Sequence, residues 1–140
     1  MILKSSRILP ALVVLFVSLG CCLEVRSCQP ILVNVSEIGT CRGYDAERWA
    51  PVGITDTFLV TDERVYLYYF LKTNVEVSLA YRWYLGDALV YERRDSHLTE
   101  GYHFSWISPR EGKRFLPGDY HVEILMGTSV LGTTEFRIEE

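Results

Sequence analysis

Asp95-Ser96-His97 carries the three side-chain types of a hydrolase triad within three adjacent residues. The spacing rules that chemistry out. Neighbours on an extended chain point to opposite sides, so they cannot form the nucleophile–base–carboxylate relay that acyl transfer needs. The other histidines, His103 and His121, fall in segments with strand character. No Gly-x-Ser-x-Gly, HExxH or P-loop pattern occurs. No catalytic residue is expected. Asp56, Asp62 and Glu63 flank one short apolar segment and could share a Ca²⁺ through loop oxygens. The same residues are ordinary turn formers, so neither a metal nor a cofactor is predicted.

The four cysteines, Cys21, Cys22, Cys28 and Cys41, all lie in the first third of the chain. Zinc is a poor fit, since there is no CxxC pair and no histidine nearby in sequence. Residues 1–27 have the layout of an export signal. Lys4 and Arg7 give a positive start, residues 8–19 are apolar except for Ser18, and small residues follow. Export implies an oxidising compartment, where Cys28 and Cys41 are the natural disulfide pair. Closing a loop of that size is worth about 3 kcal/mol in the chain-entropy picture. Ser18-Leu19-Gly20-Cys21 looks like a lipoprotein signal, which makes Cys21 the candidate lipidation site. The expected location is the cell envelope, with the membrane reached through an N-terminal lipid or an uncleaved anchor. Free secretion is the alternative.

Binding is the better functional class. Tyr66, Tyr68 and Phe70 alternate with Val65, Leu67, Tyr69 and Leu71 along one strand-like run, and the next run offers Arg82 and Tyr84. An exposed cluster of Tyr66, Tyr68, Arg82 and Tyr84 would be a platform for a protein or carbohydrate partner, because Tyr and Arg are enriched at contact hot spots. The competing expectation is that the segment before residue 57, with residues 31–35 and Trp49, covers that face. Nucleic acid is not an expected partner. The formal net charge is −4, whereas nucleic-acid-binding domains carry a basic patch.

These side chains need a scaffold, and the composition allows one. The chain has 140 residues, 49% hydrophobic and 13% aromatic, which suits a single β domain and excludes disorder. Short alternating or apolar runs are separated by turn residues, the signature of a sandwich or barrel. Strands are predicted at residues 31–35, 57–60, 64–71, 77–84, 88–94, 102–107, 120–126 and 130–138. Hairpins are expected at Leu85-Gly86-Asp87 and at Gly127-Thr128. Alternation places Val65, Leu67, Tyr69 and Leu71 on one face, with Leu79, Tyr81 and Trp83 on the next strand matching them. Leu89 and Tyr91 are expected to continue that side. Tyr102, Phe104 and Trp106 share a face, as do Tyr120, Val122, Ile124 and Met126. Burial of these aromatics is the expected main stabilising term.

The series Phe58, Val65-Tyr66, Arg82-Trp83-Tyr84, Pro117-Gly118-Asp119-Tyr120-His121-Val122 and Phe136-Arg137-Ile138 resembles small immunoglobulin-like β-sandwich domains of exported prokaryotic proteins and lipoproteins. The resemblance spans residues 57–140 and implies fold and compartment, not an activity. The expected architecture is therefore an all-β, immunoglobulin-like antiparallel β-sandwich of about 7–8 strands. Its predicted parts are a signal or anchor at 1–27, a loop-rich arm at 28–56 carrying the disulfide, and the sandwich at 57–140. The role expected of it is non-catalytic, binding or structural, with an accessory subunit of an envelope complex as the alternative.

Overall fold

Alternation in the sequence becomes alternation in burial. Along β4 (Val65–Thr73), Val65, Leu67, Tyr69 and Leu71 are buried while Tyr66, Tyr68 and Phe70 are half-exposed. The same two-residue period runs through β5 (Val77–Leu85) and β8 (Gly118–Met126). Side chains two apart on a pleated strand share a face, and only one face of each sheet meets the other sheet. A computed structural model describes residues 29–140 of the chain. Residues 1–28, which hold the segment expected to be an export signal and Cys21, Cys22 and Cys28, lie outside the described residues.

The other strands are β1 (Val33–Asp45), β2 (Ala50–Ile54), β3 (Thr57–Leu59), β6 (Ala88–Leu98), β7 (Gly101–Ile107) and β9 (Ser129–Glu139). They form two sheets, ordered β2-β1-β4-β7 and β3-β9-β8-β5-β6. The hairpins predicted at Gly86-Asp87 and Gly127-Thr128 are both present, between β5 and β6 and between β8 and β9. Each turn has a glycine in the left-handed region, at φ 58° for Gly86 and 62° for Gly127.

Two expectations are corrected. Residues 28–56 were predicted as a loop-rich arm, yet β1 pairs with β4 from Val33 to Cys41, and β2 pairs with β1. Val33, Val35 and Ile38 pack against the core, so residues 33–54 belong to the sandwich. Next, the short β3 runs parallel to β9, so the sheets are not purely antiparallel. The chain changes sheets just before it. Thr55 N–H donates to Thr40 O, the Thr40 hydroxyl donates to Thr55 O, and Arg137 N–H donates to Asp56 O. The expected Cys28–Cys41 pairing involves Cys28, which lies outside the described residues. Cys41 is a free thiol, fully buried, donating to Gly43 O at 3.2 Å. Burial pushes its pKa up from 9.0 to about 11.

The core lies between the sheets around Trp83, Tyr69, Tyr81, Phe58 and Leu67, all fully buried. Tyr69 and Tyr81 come from opposite sheets and share a hydrogen bond of 2.6 Å between their hydroxyls. Trp83 Nε1 has no hydrogen-bond partner. At the start of β8 the Tyr120 hydroxyl donates to Leu116 O four residues upstream, at 2.5 Å. A tyrosine that ties a strand start to the preceding corner in this way, beside a buried Trp on a middle strand, is a recurrent feature of immunoglobulin-like sandwiches.

Candidate functional site

The predicted platform does not assemble as one surface. Tyr66 and Tyr68 are on β4 and Arg82 and Tyr84 on β5, and these strands belong to different sheets. The link through Asn74, Val75 and Glu76 crosses between sheets instead of forming a hairpin within one. Each pair faces away from the core, on opposite sides of the sandwich. Leu79, Tyr81 and Trp83 therefore meet β4 across the core, not beside it.

Arg82 and Tyr84 lie on a polar face. Arg82 Nε is 3.5 Å from Glu92 Oε1, and Tyr84 stacks on His121 with ring centroids 4.6 Å apart and planes 6° apart. Arg137 pairs with Asp119 at 2.8 Å on the same side. An exposed, ion-paired sheet surface of this kind is ordinary solvated polarity. Asp95 and His97 do not form a relay: Asp95 pairs with Arg93 and His97 with Glu76. Asp62 Oδ2 accepts from Leu59 N–H and pairs with Arg42, which is turn chemistry.

The outer face of the four-stranded sheet is different. Tyr66, Tyr68 and Phe70 are joined there by Trp106, Phe104 and Tyr102 of β7, opposite them in register. The β7 aromatics were expected in the core. They point outward, because Ser105 and Ile107 take the inward positions. Leu89 and Tyr91 also part company, since an irregularity in the β5–β6 register falls between their partners Tyr84 and Trp83.

Two further rings come from the β1–β2 hairpin. Tyr44 lies 4.9 Å from Phe104 and 6.0 Å from Tyr66, and Trp49 lies 5.3 Å from Phe104. Trp49 Nε1 donates to Tyr102 O at 2.5 Å. β1 and β7 are separated by β4, so the hairpin tip crosses over β4 to make these contacts. The tip is shaped by Asp45, whose Oδ1 accepts from the N–H groups of Glu47 and Arg48. Tyr68 lies over Gly39, where a Cβ would come within 2.6 Å of its hydroxyl oxygen. Trp49 is 46% and Tyr44 39% exposed, and the strand aromatics are half-exposed.

Charge is confined to the rim of this face. The Arg64 and Arg93 guanidinium carbons stand 5.4 and 5.2 Å from the Trp106 ring centroid. Arg64 also donates to the Tyr66 hydroxyl. The Tyr102 hydroxyl donates to Glu37 Oε2 at 3.0 Å, and this bond raises the Tyr102 pKa. Arg93 reaches Trp106 from β6 of the other sheet, bridging the open side of the sandwich. A contiguous apolar face with a polar rim is what a binding surface looks like. The sequence pointed to Tyr66, Tyr68 and Phe70 but not to Tyr44, Tyr102, Phe104 or Trp106. A signal was present: a strand that is apolar on both faces needs neighbours that are apolar on both faces.

No family model matches the sequence, and no curated protein matches it. Solved structures do. An immunoglobulin-like protein from Pseudomonas aeruginosa matches with a TM-score of 0.53 at 9% identity, over 81% of this chain and 99% of that one. An alkylpurine DNA glycosylase, AlkC, from Pseudomonas fluorescens, bound to DNA containing an abasic-site analogue, matches with a TM-score of 0.50 at 12% identity. That match covers 77% of this chain but spans only 30% of the glycosylase. At such identities the likeness is one of fold: the chain is an immunoglobulin-like β-sandwich.

Proposed function

We propose that this protein is a non-catalytic binding module, exported and held at the cell envelope by a lipid on Cys21, and that it meets a protein partner through the aromatic face of its four-stranded sheet. The observation that carries the reading is the half-exposed cluster of Tyr66, Tyr68, Phe70, Phe104 and Trp106 on an outer sheet face, where such sandwiches otherwise place polar side chains. Protein is favoured over carbohydrate by ring geometry. Tyr44–Trp49, Trp49–Phe104 and Phe70–Tyr102 meet at 67°, 89° and 86°, which makes a ridged surface, not the flat platform on which a sugar ring stacks. Ridges and grooves suit interdigitation with side chains.

A photo-crosslinking residue at Phe70, compared with one at Thr133 on the polar face of the other sheet, tests the binding half in the source cells. A discrete protein adduct from position 70 and none from 133 is the expected result. Equal adducts, or none from either, would remove the reading. Intact mass of the native protein tests the anchoring half. A chain beginning at Cys21 with added acyl mass is expected, and an unmodified start would show a freely secreted module.

A further inference from the structure

We propose that the β1–β2 hairpin is a self-occupying strap: it lies on the rings a partner would use, is latched to Tyr102, and opens without the sandwich unfolding. The inference rests on the aromatic face being the binding surface, whose access it would control.

Four observations converge on it. First, the hairpin tip is displaced from its own place in the sheet, because Trp49 and Tyr44 reach Phe104 across β4. Second, two of the three non-glycine residues with positive φ among the described residues are Trp49 at 51°, at the hairpin tip, and Glu37 at 50°, at the bulge where β1 leaves its first run of pairing with β4. A side chain rarely accepts the left-handed region unless its surroundings impose it. Third, both strained residues are held by one residue: Trp49 Nε1 by the Tyr102 carbonyl, and the Glu37 carboxylate by the Tyr102 hydroxyl. Fourth, the outer strand of the hairpin is lightly held. β2 pairs only with β1, and Val52 and Ile54 on it are exposed. Segments with few buried apolar contacts and strained backbone open at lower free energy than the core.

Breaking the Tyr102 latch lets the left-handed residues relax and frees the rings of Tyr66 and Phe104. It also uncovers Cys41, which pairs with Tyr66 on this side of the sheet yet has no exposed surface. Cys41 is thus a built-in reporter of the strap. In the closed state it is inert, since alkylation needs both access and a thiolate.

The test is alkylation of the full-length chain by iodoacetamide, followed by peptide mass so that Cys41 is read apart from Cys21, Cys22 and Cys28. Trp49→Phe keeps the ring and removes the N–H donor, and Tyr102→Phe removes the bond to Glu37. Each is expected to speed Cys41 labelling about tenfold, the effect of one lost hydrogen bond. Glu37→Gln keeps an acceptor and should label at close to the wild-type rate. Urea separates strap from global opening: the labelling rate should rise only weakly with urea, with a slope well below that of global unfolding. Labelling at the wild-type rate in both latch variants would overturn the proposal. So would labelling whose urea slope equals that of global unfolding. The measurement needs no partner, so its failure is distinct from a failed cross-link at position 70.

Discussion

Trp83→Ala should destabilise the sandwich by about 3–5 kcal/mol, the range for emptying a large aromatic site in a close-packed core. Trp83 is fully buried and packs edge-on against Phe136, with ring centroids 6.0 Å apart. Single domains have only about 5–15 kcal/mol to lose, so much of the stability would go. Trp83→Phe should cost far less, about 1–2 kcal/mol. It gives up part of the ring volume but no hydrogen bond, because Nε1 has no partner. The indole N–H is a desolvated donor that phenylalanine removes. Urea midpoints at unchanged denaturant slope are the measurement. Equal losses in the two variants would show that the N–H is satisfied in solution, by a buried water for instance.

The second large effect is alkaline. Burial holds Tyr69 and Tyr81 well above the ordinary tyrosine range; their shared hydrogen bond raises Tyr81 further and partly offsets the rise at Tyr69, and nearby Asp95 raises both. The unfolded chain releases these protons near pH 10, whereas the folded chain retains them. Above that pH the unfolded state therefore binds fewer protons, and stability falls as pH rises. Cys41 starts the decline earlier: its contribution is intact below pH 9 and is lost progressively up to about pH 11. Each group removes about 1.4 kcal/mol per pH unit once the unfolded form ionises. Combining Tyr69→Phe with Tyr81→Phe should flatten the fall by two protons. At neutral pH, Tyr81→Phe alone should cost about 1–3 kcal/mol, because it strands the Tyr69 hydroxyl in the core. The double variant should cost less than the sum of the singles. Urea midpoints from pH 7 to 11 decide this, and an unchanged slope in the double variant would show that the pair does not control alkaline stability.

Much of the scaffold was legible because β5, β8 and β9 have one wet and one dry side and β4 is an unbroken apolar and aromatic run. β4, β5, β8 and β9, and the turns at Gly86 and Gly127, follow directly from alternation and glycine placement. β1 and β2 were not legible. Gly39, Gly43, Pro51 and Gly53 read as loop residues, but Gly39 makes room for the Tyr68 ring, and Pro51 sits on an edge strand where a missing N–H is tolerated. The site was half legible for a related reason. Periodicity sorts residues into two faces but does not say which face is the core when both are aromatic. Tyr102, Phe104 and Trp106 alternate with His103, Ser105 and Ile107, and only the packing of the opposite sheet shows that the smaller set turns inward. Periodicity is equally silent about which sheet a strand joins, so Arg82 and Tyr84 were placed beside Tyr66 when they are on the far side.

The bridge from β6 to Trp106 has a consequence for crowding. β6 is eleven residues long and borders its sheet with one side of its backbone unpaired. A rim of that length is a template for fibre growth. Its inward positions, however, hold Arg93 and Asp95, paired with each other, and Arg93 is drawn over the Trp106 ring. A copy adding edge to edge would have to bury both charges against its own inner face. Neighbouring molecules packed side by side therefore gain nothing from zipping their rims together.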